Sequence, residues 1–258
     1  MSYRPLDLQG RVAVVVGGTT GIGRALALGL AEAGADVVAS ARGAANLEAV
    51  AGELEALGRR TLRIPSDVTD RRSLEALCDG VLAGLGRVDI LVNCAGRTQR
   101  TPTLEVGDAE WNAILDTNLT GTLRACQVFG RAMLERGYGR IINIASLASF
   151  VALFEVAAYT ASKAGVAALT RQLAIEWGAR GVCVNAIAPG VFRTALNSQL
   201  LDGTARGQEF LARTPMRRFG RLDELAGAAV FLASESASFV NGEVLVVDGG
   251  FLASGVNQ

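Results

Sequence analysis

The sequence of 258 residues contains no histidine and a single lysine, Lys163, among its 25 basic residues, so arginine supplies almost all of its positive charge. It also contains only three tyrosines, Tyr3, Tyr138 and Tyr159. Histidine is the side chain that most often exchanges protons near neutral pH. Its absence excludes imidazole as an acid, a base or a metal ligand, so any proton chemistry must use another group.

A strong net charge and a long apolar run are also missing. Basic and acidic residues number 25 each and the arginines are scattered, which offers no footprint for nucleic acid or an anionic membrane. The longest uncharged stretch, residues 141–154, is shorter than the ~20 apolar residues of a membrane-spanning helix. The first residues are polar, unlike a secretory signal. We therefore expect a cytoplasmic protein whose partner is a small molecule, with no nucleic acid and no membrane.

The cysteines lack the spacing of a metal site. The sequence has four of them, without a C-x-x-C pair. Without histidine, a zinc site would need all four thiolates or some carboxylates. We expect buried free thiols in a reducing compartment and no metal.

Short runs rich in valine and isoleucine alternate with longer alanine- and leucine-rich segments of helical period. The runs are residues 11–17, 35–40, 61–66, 88–93, 140–146, 182–189 and 244–250. Strands that are apolar on both faces and alternate with helices predict a parallel sheet covered on both sides. We expect a single α/β domain over residues 1–258, a doubly wound, Rossmann-like fold with about seven parallel strands.

Residues 194–221 interrupt this alternation and are too long for an ordinary connection. A helical lid over a substrate site is the functional interpretation, and a surface insertion is the alternative.

A glycine-rich turn follows the first strand. Gly17, Gly21 and Gly23 have G-x-x-x-G-x-G spacing immediately before a helix. Glycines there let the backbone approach a pyrophosphate, which the helix N-terminus then binds. The pattern differs from G-x-G-x-x-G, whose third glycine would fall at Leu26, and a tight turn without a ligand is the alternative.

The end of the second strand bears on the choice of cofactor. An acidic residue here commonly binds the ribose 2′-hydroxyl of NAD. This chain has no acid between Ala39 and Gly43 but has Arg42, which could pair with a 2′-phosphate. We predict NADP rather than NAD, the alternative being an Arg42 that is simply solvated.

Two further groups follow strands at the edge where ligands of such sheets bind. Asp67 could accept a hydrogen bond from the adenine amino group, with the Val68 amide beside it. Asn93, Ala95 and Gly96 would run beside the adenosine ribose.

Tyr159 and Lys163 are four residues apart, so on a helix they share one face. An ammonium beside a phenol favours the phenolate and lowers its pKa from about 10. The pair would supply an acid and base in a protein without histidine. An exposed helical lysine is the alternative.

Ser146 ends the strand run 140–146 and could fix both a substrate oxygen and the Tyr159 oxygen. A serine nucleophile is the rival role, but the chain has no histidine base and no G-x-S-x-G motif around this serine.

Together these residues resemble the short-chain dehydrogenase/reductase family, in order and at family spacing over nearly the whole chain. The motifs that carry the resemblance are "GGTTGIG", "NCAG", Asn118 in "DTNLTG", Ser146, "YTASK", "VNAIAPG" and "VDGG". Two positions depart from the family pattern, Val16 in place of threonine and Cys94 in place of asparagine. Because those residues mostly brace loops, the departures bear on local rigidity rather than on catalysis.

The resemblance implies a catalytic tetrad of Asn118, Ser146, Tyr159 and Lys163. Tyr159 would exchange a proton with the substrate oxygen while hydride passes to or from nicotinamide C4. Lys163 would also bind the nicotinamide ribose, and Asn118 would hold a water that relays protons. The other cofactor contacts that it implies are Thr19 and Ile22 in the glycine turn, and Pro189, Gly190, Val191 and Thr194 after the strand run 182–189.

Within the family the chain looks most like the gluconate 5-dehydrogenase and deoxygluconate dehydrogenase group. That implies a sugar acid or related polyol or ketose, with Arg97, Arg100 or Asn197 on its carboxylate or hydroxyls. Leu153 should line the pocket, although it would also suit a lipid-like carbonyl. A 3-oxoacyl carrier-protein reductase is the rival enzyme, and a dinucleotide-sensing protein without turnover is the rival class.

The family also implies a homotetramer, formed through helices at about 108–137 and 157–180 and through the last strand. The apolar tail from residue 239 onward fits an edge strand that a partner buries.

Overall fold

A parallel sheet forms the centre of the computed structural model, which describes residues 6–194 and 197–255. Its six strands are β1 Val12–Val16, β2 Asp36–Ser40, β3 Ile90–Asn93, β4 Gly139–Ile144, β5 Val182–Pro189 and β6 Val244–Val247. Their order is β2-β1-β3-β4-β5-β6, and every pair is parallel. The chain reverses its direction of winding between β1 and β3, which is where ligands bind in open sheets of this kind.

Helices cover both faces of the sheet. They are α1 Gly21–Glu32, α2 Ala44–Ala56, α3 Arg71–Leu85, α4 Asp108–Leu115, α5 Gly121–Arg136, α6 Ala157–Trp177, α7 Ser198–Leu201, α8 Ala205–Arg213 and α9 Ala226–Ala233. The residues of β1 alternate between two cores: Ala13 and Val15 pack with α1 and α9, whereas Val12, Val14 and Val16 pack with α3, α5 and α6. The doubly wound α/β prediction is confirmed.

The run at 61–66, expected to be a strand, lies beside β2 without forming a ladder in the described structure. The backbone of β2 bonds to it only near its ends, through Val37 N–H to Arg60 O (3.1 Å) and Ser66 N–H to Ala41 O (3.3 Å). Between these points the Ser40 hydroxyl, rather than a backbone amide, donates to Ile64 O at 2.6 Å. The segment therefore follows the sheet edge, and six strands rather than about seven are laddered.

A π-helical turn, Asp116–Thr120, joins α4 to α5 within the long helical segment expected at 108–137. Such turns often occur at functional sites because they widen the helix locally. The turn carries Asn118, whose side chain is fully buried.

Helices α7 and α8 lie within the expected lid at 194–221, between β5 and β6. Residues 195 and 196 of that segment lie outside the described residues, as do residues 1–5 and 256–258 of the expected domain. Helix α8 packs toward the chain after β6, with the Phe210 and Phe251 rings 6.2 Å apart.

Cys78 and Cys126 are buried, Cys94 and Cys183 are half-buried, and all four are free thiols. In the described parts of the chain, no group of three or more potential metal ligands occurs. None of the helices described there combines the length and the hydropathy that crossing a membrane requires.

Candidate active site at the carboxyl edge of the sheet

The glycine turn is built from backbone that tolerates no side chain. Gly17 has a φ of 80°, and a Cβ there would lie 2.5 Å from Ala95 N. A Cβ on Gly23 would lie 2.0 Å from Gly17 O. Helix α1 starts at Gly21 with no side-chain cap and no acidic residue in its first turn. Its N-terminal amides are thus available to an anion, which fits a pyrophosphate.

The motif after β5 closes over this turn. The Cβ of Thr194 lies 3.9 Å, and its Cγ2 3.6 Å, from the place a Cβ would take on Gly21. Gly190 approaches the backbone so closely that a Cβ would lie 2.6 Å from Asp248 Cα. The glycine turn and the segment after β5, which the sequence assigned to the cofactor although they are far apart along the chain, therefore meet at one place.

Arg42 lies where an adenosine 2′-phosphate would be expected. Its side chain is 80% exposed, and Nη1 is 3.8 Å from Asp67 Oδ2. Asp67 accepts from the Thr69 amide (2.9 Å) and hydroxyl (2.7 Å), and the backbone bond is the main cause of its lowered pKa. Arg42 is thus exposed and pairs with Oδ2 of Asp67, while Oδ1 of Asp67 accepts both bonds from Thr69.

The side chain of Asn93 is buried and points toward residues of β4 and α5. Its Nδ2 donates to Asn143 Oδ1 at 2.9 Å and to Cys126 Sγ at 3.3 Å. Its Oδ1 is buried without a hydrogen bond in the described structure. Ala95 and Gly96 continue past it along the expected path of the ribose, and Val68 is buried against Gly121.

Asn118 clamps the loop that follows β3. Its Oδ1 accepts from Arg97 N–H at 2.8 Å, and its Nδ2 donates to Arg97 O at 2.9 Å and to Ser162 Oγ at 3.0 Å. Ser162 in turn donates to Tyr159 O at 2.7 Å. The amide of Asn118 therefore links the loop to the turn of α6 that carries Tyr159.

Lys163 lies inside the molecule, only 6% exposed, with Nζ donating to Ile144 O at 2.6 Å. Nζ is 5.8 Å from the centre of the Tyr159 ring. Burial lowers the pKa of Lys163 to about 8, opposed by Cys94. The alternative of an exposed helical lysine is wrong, because α6 packs this face against the end of β4.

The Tyr159 pKa differs from the sequence argument, which expected the nearby ammonium to lower it. Burial raises the pKa of Tyr159, while its hydrogen bond with Ser146 opposes the rise and Cys94 adds to it. Desolvation of the phenolate therefore outweighs the hydrogen bond that favours it. Ser146, only 8% exposed, also accepts from the Ala148 amide at 3.2 Å, which fixes its hydroxyl at the end of β4.

The residues expected to bind the substrate differ in their exposure and in their hydrogen-bond partners. Asn197 uses both ends of its amide locally, accepting from Thr194 N–H (2.7 Å) and donating to Phe192 O (2.8 Å). It therefore braces the turn that holds Thr194, and its contact with a substrate stays a prediction. Arg97 is exposed and Leu153 half-buried, while Arg100 pairs with Glu155 at 2.6 Å.

Two residues here were not predicted from the sequence. Ser162 connects Asn118 to the Tyr159 backbone, and its place three residues after Tyr159 on the same helix face was a usable signal. Arg206, on α8, donates to Phe154 O at 3.3 Å. No sequence pattern marked it, because the packing of α8 decides which of its side chains reach the site.

The sequence is similar to those of known proteins over nearly its whole length. A family model described as enoyl-(acyl carrier protein) reductase matches residues 16–252. D-threitol dehydrogenase of Mycolicibacterium smegmatis is 44% identical over 244 residues, covering 95% of this chain and 94% of that protein. Gluconate 5-dehydrogenase of Gluconobacter oxydans is 41% identical, covering 98% and 100%.

A solved structure is also similar to this chain over nearly its whole length. The gluconate 5-dehydrogenase from Burkholderia cenocepacia, crystallised with NADP and tartrate, has a TM-score of 0.94 and 39% identity, with 98% of this chain and 99% of that chain covered. The fold and the site thus define a dinucleotide-binding α/β oxidoreductase class. The chain belongs to the short-chain dehydrogenase/reductase family, as the sequence motifs predicted.

Proposed function

We propose that the protein is an NADP-dependent oxidoreductase that interconverts a secondary alcohol and a carbonyl in a sugar acid or a related polyol or ketose. The observation that carries the proposal is the group of Ser146, Tyr159 and Lys163 at the end of β4, on the same sheet edge as the glycine turn; Ser146 and Lys163 are buried and Tyr159 is half-buried. The names of the relatives, dehydrogenases of threitol and of gluconate, support this substrate class.

Each member of the proposed tetrad has a separate task. Tyr159 exchanges the proton with the substrate oxygen, and Ser146 holds that oxygen and the phenol together. Lys163, with a pKa of about 8, can pass on a proton near neutral pH and also binds the nicotinamide ribose. Asn118 holds the loop at Gly96 and Arg97 against this centre, beside the water of the expected relay.

NADP supplies or accepts the hydride at nicotinamide C4 when it is bound. The residues proposed to hold it are Gly17, Thr19, Gly21, Ile22 and Gly23 in the first turn, Arg42, Asp67 and Val68 around the adenosine, Asn93, Ala95 and Gly96 along the ribose, and Pro189, Gly190, Val191 and Thr194 with Tyr159 and Lys163 at the nicotinamide. The bare glycine turn and the exposed side chain of Arg42 support the fit.

The function is tested by following the absorbance of the reduced nicotinamide with NADP or NAD. The substrates are gluconate, deoxygluconate, threitol, several ketoses and an acetoacetyl thioester. We expect turnover of an acid or polyol with NADP. Preference for the acetoacetyl thioester would instead identify a carrier-protein reductase, and tight NADP binding without turnover of any substrate would identify a sensor.

The cofactor preference depends on the pair Ala41 and Arg42. Replacing them together (Ala41→Asp with Arg42→Ile) should shift the ratio of kcat/KM values toward NAD by ~10-fold or more, because a carboxylate repels the 2′-phosphate and can bind a 2′-hydroxyl. Arg60→Met, at an exposed arginine paired with Asp36, is the matched control and should leave the ratio unchanged. A wild type that already prefers NAD would contradict the assignment.

We also propose a homotetramer, formed through α4 to α6 and through β6. Ile175 on α6 is 82% exposed and Phe239 before β6 is fully exposed, so both offer apolar surface to another copy. β6 is an edge strand of the described sheet with half-exposed valines. Sedimentation of wild type and of Ile175→Glu tests this: the variant should fall to smaller species, and a monomeric wild type would contradict the proposal.

Residues 194–221 are proposed as the substrate lid. Helix α8 reaches across to the segment before Tyr159 through Arg206, which supports a lid over a surface insertion.

A further inference from the structure

Three segments meet at the rim of the proposed site in a group that we call the rim cluster: Arg100, Phe154, Glu155 and Arg206. Arg100 follows β3, Phe154 and Glu155 precede α6, and Arg206 belongs to α8 of the lid. Arg100 Nε lies 2.6 Å from Glu155 Oε2, and Arg206 Nη1 donates to Phe154 O at 3.3 Å. The cluster therefore joins the lid to both walls of the site.

The cluster lies near the proposed tetrad along the chain. Glu155 is four residues before Tyr159, and its carbonyl accepts from Thr101 N–H at 2.8 Å. Arg100 is three residues after Arg97, whose peptide Asn118 holds from both sides. Each wall of the cluster thus lies within a few residues of Tyr159 or of the loop that Asn118 holds.

The charges of the rim cluster do not balance. Two guanidinium groups face one carboxylate, and that carboxylate already pairs with Arg100. In the described structure the contacts of Arg206 are to a carbonyl oxygen and to the Phe210 ring, 5.6 Å away, and not to a carboxylate. The nearest acid on its own helix, Glu209, pairs with Arg213 at 2.9 Å.

The setting of Arg206 is unfavourable for a cation without an anion. Burial is the main reason that the Arg206 pKa is lowered, and the nearby Arg100 lowers it further, whereas the charges of Glu155 and Glu209 raise it. A carboxylate placed between the two arginines would relieve this repulsion and accept charge-assisted hydrogen bonds from a planar fork. The hydroxymethyl end of a neutral polyol could not do so.

We propose that Arg206, with Arg100 beside it, binds the carboxylate end of the substrate and makes the enzyme select hydroxy acids over neutral polyols. This inference rests on the proposed function and adds the residue that decides between its two substrate classes. Arg206 is a specificity residue and takes no part in the exchange of hydride or proton.

The test compares tartrate with threitol, which differ only in having carboxylates or hydroxymethyl groups at their ends. Calorimetric titration into NADP-loaded protein measures binding without requiring turnover. For Arg206→Met we expect tartrate affinity to fall ~10-fold or more, as loss of a charged hydrogen bond implies, and threitol affinity to change by less than ~2-fold. Arg213→Met, on the same helix, is the matched control and should change neither.

Two further variants separate charge from packing. Arg206→Lys should retain part of the tartrate affinity, since it keeps the charge but loses the planar fork. Glu155→Gln should tighten tartrate binding ~3-fold or more, because it removes the carboxylate that competes for the arginines. A structural role alone would weaken binding of both ligands in every variant.

Equal loss of tartrate and threitol affinity in Arg206→Met, or weaker tartrate binding in Glu155→Gln, would overturn the inference while turnover in wild type leaves the proposed function standing. Conversely, charge-selective binding in a wild type that turns over no substrate would overturn the proposed function alone.

Discussion

Tyr138 and Tyr159 lie at opposite ends of β4 and both have cationic neighbours, yet their surroundings differ in kind. Tyr138, just before the strand, is stacked between Arg11 and Arg140, whose Cζ atoms are 4.1 and 4.6 Å from its ring centre. Its hydroxyl donates to Glu235 at 2.9 Å. Tyr159, beyond the other end of the strand, has Ser146 at its hydroxyl and Lys163 nearby.

A tyrosine that exchanges protons needs neighbours that can take up and return a proton. The pKa of Tyr138 is raised to about 12, by burial first and then by Glu235 against the opposing arginines. Its proton is committed to a carboxylate, and its cations cannot give up protons, since guanidinium stays charged. Tyr159 instead has a hydroxyl partner that can donate or accept, and a lysine whose pKa of about 8 allows exchange.

The largest expected effect comes from removing each phenol in turn. Tyr159→Phe should lower kcat ~10³-fold or more, the range for loss of a general acid or base, with NADP affinity near wild type. Tyr138→Phe should keep kcat and lose only ~1 kcal/mol of unfolding free energy with its bond to Glu235. Steady-state rates and urea unfolding of both variants check this. Equal rates in the two variants would mean that Tyr159 has no special role in proton exchange.

The cations provide the next contrast. Lys163→Arg keeps the charge but should lower kcat ~10²-fold, because guanidinium is larger and does not release its proton. The reverse change at the other end of β4, Arg140→Lys, should leave kcat within ~2-fold and lower stability, since Arg140 stacks on Tyr138 and bonds to Glu235. An active Lys163→Arg enzyme would mean that charge alone matters.

A smaller effect should appear in stability as a function of pH. Burial lowers the Lys163 pKa from 10.5 to about 8, so between these values the unfolded chain binds a proton that the folded chain does not. Folding free energy should therefore become more favourable as pH rises from 8 to 10, by ~2 kcal/mol relative to Lys163→Met. Urea unfolding of both proteins measures the difference, and parallel pH curves would show that Lys163 keeps its ordinary pKa.

The parts of the molecule made by the backbone could be predicted from the sequence. The parallel sheet follows from runs such as 12–16, which are apolar on both faces, and the glycine turn follows from spacing, because only glycine fits at Gly17 and Gly23. The family resemblance is confirmed, and so is the α/β fold that it implied.

Features that depend on packing were not predictable. Run 61–66 has a strand composition, but its backbone–backbone hydrogen bonds to the β2 segment lie only near its ends. The raised pKa of Tyr159 reflects burial, which spacing does not reveal. The contact of Arg206 with Phe154 O and the local hydrogen bonds of Asn197 depend on how the chain after β5 packs.

The central claim, that Tyr159 carries the proton in a protein without histidine, is tested most directly by a single turnover. NADPH-loaded Tyr159→Phe and Tyr138→Phe are mixed with excess carbonyl substrate, while nicotinamide absorbance reports hydride transfer and NADPH fluorescence reports binding. We expect normal NADPH binding in both variants. Hydride transfer should occur at the wild-type rate in Tyr138→Phe, and no hydride transfer should occur on that timescale in Tyr159→Phe. Transfer at the wild-type rate in Tyr159→Phe would contradict the central claim.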